Sequence, residues 1–324
     1  MTLCLMGAAM GTGAATADPF IIKFSHVVAP DTPKGKAAEK FKELAEAYSD
    51  GAVRVDIYPE GRLYQDKEEL EALQLGAVEM LAPSLAKFGG LGLPQFELFD
   101  LPYLVRDYDE LAKITEGPVG QELLNLLQSR GIKGLAYWHN GFKIMSANRP
   151  LHVPADFKGL KMRIQASRAL EAQMLALGAS PVIFGFSDVH QALASGVVDG
   201  AENPPSNMFT QKIHLVQTHA TLSRHGYLGY AVIVNQAFWN RLPTALQAQL
   251  ERAMAEASDY GNSIARAENL AALQAMEAAG STRFYTLTEE ERAQWVAALR
   301  PVHQKMAPRI GADLLQRAYD SLGQ

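Results

Sequence analysis

From Pro243 to Gly280 the chain reads as a single helix, an uninterrupted stretch rich in Ala, Gln, Glu, Leu and Met. Helices of globular proteins usually run to roughly 8–20 residues, so one of this length reaches past a single packed layer and has the reach to span two lobes. Ahead of it, strand patterns alternate with helical ones. Phe20 to His26 reads as a strand, Ala29-Pro30-Asp31-Thr32-Pro33 as a loop, and the Lys-, Ala-, Glu- and Leu-rich segment after it as a helix. Val53 to Tyr58 alternates apolar and polar residues and stops at Pro59; Leu70 to Leu75 is helical, and the apolar run Val78 to Ala82 follows. Ile132 to Trp138 forms a further strand that runs into His139-Asn140-Gly141, the expected crossover to a second set of elements. Strands alternating with helices in this way indicate an α/β sheet built from βαβ units.

The second set comprises Lys143 to Ala147, Leu160 to Ile164, a helix from Leu170 to Leu177, Ala179 to Ile183, a short helix capped by Ser187, and Gly196 to Ala201. Tyr227 to Val234 is an apolar strand that returns the chain to the first lobe. With 324 residues, 48% hydrophobic and 20% charged, the chain has material for a large core, in two domains or one large α/β unit. The formal net charge of -5 argues against a nucleic-acid binder.

Residues 1–17 carry small and apolar side chains and meet their first charge at Asp18; Ala15 and Ala17 supply a small-x-small cleavage site. An export signal removed near Ala17 is expected, although its basic segment is missing and the start read here falls inside the real signal. No later stretch approaches the roughly 18 consecutive apolar residues of a membrane helix. The one cysteine, Cys4, lies in the expected signal, so the mature chain carries no thiol, as an oxidising compartment permits.

The chain contains no HExxH pair, CxxC, GxSxG elbow or Walker-type loop, so the usual metal, thiol, serine and phosphate chemistries lack their markers. Gly90-Leu91-Gly92 supplies two glycines of a dinucleotide fingerprint, but the third is absent and Pro94 interrupts the helix that should start there. No metal or cofactor is expected. Glu289-Glu290-Glu291 after Thr288 is a helix start, not an acid–base pair. The informative residues are basic ones at strand ends and in loops, where an α/β protein places its ligand: Lys34, Lys87, Lys143, Arg149 and Arg163.

Several segments in order resemble the substrate-binding proteins of tripartite ATP-independent periplasmic (TRAP) transporters, in particular the four-carbon dicarboxylate branch. They are Phe24 to Gly35, Ala82 to Phe88, His139 to Lys143, and Gly159 to Arg163 together with Val198 to Pro204. Singly each is weak; their order and spacing run over essentially the whole mature chain. The resemblance implies a periplasmic-binding-protein-like fold, two α/β lobes around a ligand cleft, joined by crossing strands and the long helix at about 243–279. Residues 18–140 with about 229–268 are expected in lobe I, and about 141–228 with 269–324 in lobe II.

The resemblance also assigns a site. The arginine that pairs a substrate carboxylate falls on Arg163 and its partner asparagine on Asn203, and a planar guanidinium suits a carboxylate through two parallel hydrogen bonds. Gln165 and Asn207 join them from the same lobe. Phe186 either packs its ring beside the ligand or belongs to the core. Ser25, His26 and Lys34, with Ser84 and Lys87, form the wall of the first lobe. His26 donates to the ligand or holds its loop, Lys34 reaches a distal carboxylate or only begins a helix, and the cation for the distal carboxylate is one of Lys34, Lys87 and Lys143. Lys143 stands where sialic-acid binders of the superfamily have a second arginine, which argues against sialic acid.

The function so implied is periplasmic capture of succinate, malate or fumarate and delivery to the small and large membrane subunits of a TRAP permease, by a monomer. The rivals keep the fold and change the ligand to a monocarboxylate, keto acid, sugar acid or aromatic acid, or make the protein a periplasmic ligand sensor. A hydrolase would need a catalytic constellation that the sequence does not display.

Overall fold

The computed structural model describes residues 18–324; the expected signal segment lies outside the described residues. Eleven strands follow along the described chain: β1 (Phe20–Ser25), β2 (Val53–Tyr58), β3 (Met80–Leu81), β4 (Ile132–Phe142), β5 (Ile144–Ala147), β6 (Lys161–Ile164), β7 (Ser180–Ile183), β8 (Gly200–Asn203), β9 (His219–Thr221), β10 (Tyr227–Asn235) and β11 (Arg283–Tyr285). The helices are α1 (Pro33–Tyr48), α2 (Glu69–Gln74), α3 (Tyr108–Thr115), α4 (Pro118–Leu126), α5 (Arg168–Ala176), α6 (Val189–Ala194), α7 (Pro205–Thr210), α8 (Gln236–Arg241), α9 (Thr244–Ala279), α10 (Glu289–Ile310) and α11 (Ala312–Leu322).

The strands form two sheets, one per lobe: five strands in the order β2-β1-β3-β10-β4 and six in the order β11-β9-β5-β8-β6-β7. In the first, β1 runs parallel to β2 and β3, while β10 lies antiparallel between β3 and β4. All nine residues of β10 are buried, as expected of a central strand covered on both faces, and this explains its continuous apolar sequence. In the second sheet β6 is parallel to β7 and β8, and β5 antiparallel to β8 and β9.

Three connections join the sheets. Lys143 alone separates β4 from β5, residues 222–226 lead from β9 to β10, and α9 leads back from the first lobe to β11 in the second. The crossing sits slightly later than the sequence suggests, because β10 pairs with β4 as far as Phe142. As expected, α9 is one helix from Thr244 to Ala279, ended by Gly280 at φ +68°, the left-handed conformation that suits glycine. It packs on α1, β4 and α7. Gly261 allows the approach to α1: a Cβ there would lie 2.6 Å from the Cβ of Ala37.

Polar side chains on one stripe of α9 fasten it to β4. Ser258 Oγ accepts from Trp138 Nε1 at 2.8 Å, Asn262 Oδ1 from the His139 amide at 2.7 Å, and Asn269 Nδ2 donates to the Asn140 carbonyl at 2.8 Å. Thr288 begins α10 with a reciprocal cap, its hydroxyl accepting from the Glu291 amide and the Glu291 carboxylate from its own. Whereas 269–324 is expected wholly in the second lobe, β11 joins its sheet and α10 packs on α5 and on Pro154–Phe157, but α11 packs on α3 and α4. Ser187 does not cap α6. Its hydroxyl instead donates to Gln65 Oε1 at 3.1 Å, across from one lobe to the other.

Candidate functional site

The carboxyl ends of β1, β6 and β8 and the segment after β3 face each other where the lobes meet, the place an α/β sheet offers a ligand. β1 delivers Ser25 and His26, β6 delivers Arg163, and β8 ends on Asn203. Lys34 comes from the first turn of α1, which begins after Thr32 accepts a hydrogen bond from the Gly35 amide at 3.2 Å.

Arg163 is 1% exposed, and its Nε and Nη2 donate to the Phe184 carbonyl at 3.1 and 2.8 Å. Burial draws its basicity below the usual arginine range, opposed by the fields of Asp66, Glu202 and Asp188. Lys34 is 2% exposed; its Nζ donates to the Ala82 carbonyl at 3.0 Å and lies 3.8 Å over the centre of the Tyr230 ring. Burial pulls its pKa down to about 8, against the fields of Glu69 and Asp66. Among the described residues neither cation has a carboxylate within ion-pair distance.

The other two lysines are committed. Lys143 Nζ lies 2.6 Å from Glu202 Oε1, and the second oxygen of Glu202 accepts from Gln173 Nε2 and meets His225 Nε2, each at 2.8 Å. Burial raises the Glu202 carboxyl, but Lys143 and the hydrogen bond from His225 outweigh it and hold it well below the usual range. Lys143 is therefore a member of an internal pair at the first crossing, not a free cation for a ligand. Lys87 is shared by Asp66, at 3.0 Å, and Glu69, with which it makes a short contact. Of the three lysines that the sequence offers for a distal carboxylate, Lys34 is the one left over. Arg149, on an exposed turn, binds the carbonyls of Asp156 and Lys158 and holds that turn.

Three expected site residues carry buried polar atoms without a partner: Ser25 Oγ, His26 Nδ1 and Asn203 Nδ2. An unpaired buried polar atom is costly, so such a group of orphans around two cations marks a place built for a polar ligand. Burial, helped by Lys34, lowers the His26 pKa to about 3, which leaves its imidazole neutral. Behind Asn203 stands a network: Asn207 Nδ2 donates to Asn203 Oδ1 at 3.5 Å, and Asn140 Nδ2 to Asn207 Oδ1 and the Tyr230 hydroxyl, each at 2.8 Å. Ser206 Oγ closes it on Asn140 Oδ1 at 2.8 Å.

The remaining expected residues have other work as well. Ser84 accepts from the Ala86 amide at 3.4 Å and starts the turn that carries Lys87. Gln165, half-buried, follows β6 and accepts from the Ser167 amide through its carbonyl. Phe186 is buried, and its amide donates to Asp66 Oδ2 at 3.2 Å across the lobes. Asp66, Tyr230, Asn140 and Glu202 are members of this constellation that the sequence does not single out. Asp66 hides in the charged run Gln65 to Glu69, and Tyr230 in an apolar strand.

Two buried cations from opposite lobes, ringed by neutral donors, suit a small molecule with an anionic group at each end. Among the described residues no group of three or more His, Cys, Asp or Glu side chains is placed to hold a metal ion.

Residues 24–309 match the family DctP, described as bacterial extracellular solute-binding protein, family 7. The chain is 62% identical to the C4-dicarboxylate-binding periplasmic protein DctP of Rhodobacter capsulatus, covering 97% of both chains. It is 41% identical to the protein of the same name from Shewanella loihica, covering 98% of this chain and 93% of that one. A TRAP periplasmic solute binding protein from Shewanella oneidensis, solved with bound succinate, superposes with a TM-score of 0.91 at 42% identity, covering 94% of this chain and 99% of that one. One from Pseudomonas aeruginosa with bound L-malate gives 0.87 at 42% identity, covering 89% and 100%. The chain thus belongs to the DctP family of bacterial extracellular solute-binding proteins.

Proposed function

We infer that this protein captures a four-carbon dicarboxylate in the periplasm, after removal of a signal near Ala17, and presents it to the membrane subunits of a TRAP permease. The observation that carries the reading is the pair Lys34 and Arg163: two buried cations, one from each lobe, each without a carboxylate of its own among the described residues. The relatives described above carry C4-dicarboxylate in their names or succinate and L-malate in their structures. Arg163 pairs one carboxylate, with Asn203 Nδ2 beside it; Lys34 pairs the other, with Ser25 and His26 as further donors. No bond is made or broken.

The magnitudes agree. A four-carbon diacid has about eight heavy atoms, and micromolar affinity asks for about 8 kcal/mol, or about 1 kcal/mol per atom, close to the ceiling for small ligands. Only an enclosed ligand whose charges are both met reaches that value. The Gln65–Ser187 and Asp66–Phe186 hydrogen bonds describe the shut cleft, and the ligand draws the lobes toward it by binding groups of both at once.

A thermal-shift series on the mature protein tests the reading. Succinate, malate or fumarate at about 100 times its dissociation constant adds about 2.7 kcal/mol, worth about 4 °C for a chain of this length. A response to monocarboxylates or sugar acids without one to the diacids overturns it.

A further inference from the structure

One lysine serves two carboxylates beside the proposed ligand site. Lys87 bonds both Asp66 and Glu69; Glu69 is 1% exposed and lies in the first turn of α2, Asp66 in the loop before it. The groups that face the pair from the surrounding elements are few. Lys34 on α1 acts on both carboxylates, and Arg163 on β6 acts on Asp66. His26, beside Lys34, is neutral; the Tyr230 hydroxyl on β10, pushed up to about 12 by burial, keeps its proton; Asp188 acts on Arg163 from an exposed position. Lys143 and Glu202 pair with each other, Glu202 also acting on Arg163, and the buried Asp100, pushed up to about 7 by burial, belongs to that neighbouring cluster and is not among the groups that act on Glu69.

The buried charges of the shut cleft are therefore three cations, Lys34, Lys87 and Arg163, against two carboxylates, Asp66 and Glu69. One positive charge is in excess, and a dicarboxylate dianion turns that excess into one unmatched negative charge. An unmatched buried charge is removed most cheaply by protonating the carboxylate that ionises least readily. Burial already raises the Glu69 carboxyl, with Asp66 adding to the effect and Lys87 and Lys34 opposing it. Asp66 is also raised by burial, but Lys87, with Arg163 and Lys34, outweighs that and holds it low.

We propose that capture of a dicarboxylate dianion takes up one proton from solvent, and that the Glu69 carboxylate receives it. The inference rests on the reading that Lys34 and Arg163 take the ligand's two carboxylates. With the proton in place Lys87 keeps Asp66 as counter-ion, Lys34 and Arg163 face the ligand, and Glu69 is a neutral acid. By linkage, affinity falls as pH rises through neutrality, by up to about tenfold per pH unit at full coupling. Lys34, at about 8, adds to the effect only near and above that pH.

The test is calorimetric titration with fumarate at pH 7 in buffers of different protonation enthalpy, which separates binding from proton count. The intact protein is expected to take up roughly 0.5–1 proton per fumarate bound. E69Q is expected to bind fumarate with uptake below about 0.2 and a nearly flat dependence on pH between 6 and 7.5. D66N provides an independent arm, because three cations then meet one carboxylate and a dianion, and no proton is required; its uptake should vanish too. Binding without proton uptake by the intact protein, or undiminished uptake in either variant, overturns the inference. Absence of fumarate binding by the intact protein overturns the ligand reading itself, and the inference with it.

Discussion

The ammonium of Lys34 lies 3.8 Å above the centre of the Tyr230 ring and donates to the Ala82 carbonyl, so it is held by a π face and a dipole instead of a carboxylate. That arrangement fixes a cation in place while leaving its charge for something else. Lys34→Met should cost a diacid roughly 2–5 kcal/mol of binding and leave a monocarboxylate nearly unaffected. Calorimetry with succinate and with butyrate checks this; equal losses for both would remove Lys34 from the distal end.

Arg163→Ala should cost roughly 2–5 kcal/mol with every carboxylate ligand, because it strands a desolvated carboxylate. Arg163→Lys should recover only part of that, since an ammonium cannot donate the parallel pair. Titration of both variants with succinate measures the difference, and unchanged binding by the alanine variant would displace Arg163 from the site.

Among the described residues Asn203 Nδ2 has no partner, whereas Asn203 Oδ1 is fastened to Asn207. Asn203→Ala is expected to weaken succinate binding by about 1–3 kcal/mol without lowering the stability of the ligand-free protein by a comparable amount. Chemical denaturation and calorimetry on the same preparation separate the two effects.

Glu202→Gln leaves the Lys143 ammonium buried without its counter-charge and should destabilise by roughly 3–5 kcal/mol in equilibrium urea unfolding. Adding Lys143→Met should regain part of the loss. The pH dependence has a definite sign: the folded carboxyl lies well below its unfolded value, so its contribution is complete above the ordinary carboxylate range and disappears as pH falls toward the depressed value.

Two deeply buried histidines contribute to the behaviour in mild acid, with His214, His219 and His303, also lowered by burial, acting in the same direction and Asp100, pushed up to about 7 by burial, acting against them. Burial lowers His26 to about 3 and His139 to about 4, both from 6.5. Above pH 6.5 both states are neutral; below it the unfolded chain binds protons that the folded one refuses. Stability should therefore fall by up to about 1.4 kcal/mol per pH unit for each histidine as pH drops below 6.5. Urea midpoints between pH 7.5 and 5 measure the slope, and His26→Gln should make it shallower.

What the sequence discloses and what it conceals follow from the range of the interactions. β1, β2 and α9 are legible because alternation and helical composition are local, and Thr288 with Glu291 because a cap spans one turn. β4 outruns its pattern because its partner β10, nearly a hundred residues away, supplies hydrogen bonds as far as Phe142. Ser187 looks like a cap, yet Gln65 of the other lobe takes its hydroxyl. The same limit governs the site. Lys34, Lys87 and Lys143 are equivalent in sequence, and only the distant carboxylates of Asp66, Glu69 and Glu202 divide the committed lysines from the remaining one. Nothing local to Ser258, Asn262 and Asn269 on α9 points to β4, yet each of these side chains meets it.

A single residue, Lys143, links β4 to β5, while a short return strand connection and the long α9 tie the same two sheets again. Bodies fastened at three places, one of them a single peptide unit long, have almost no freedom to slide or twist past one another. What remains is rotation about one axis, so the whole molecule has essentially one coordinate to report. A membrane protein that touches both halves would need to sense nothing more than a single angle to know whether cargo is aboard.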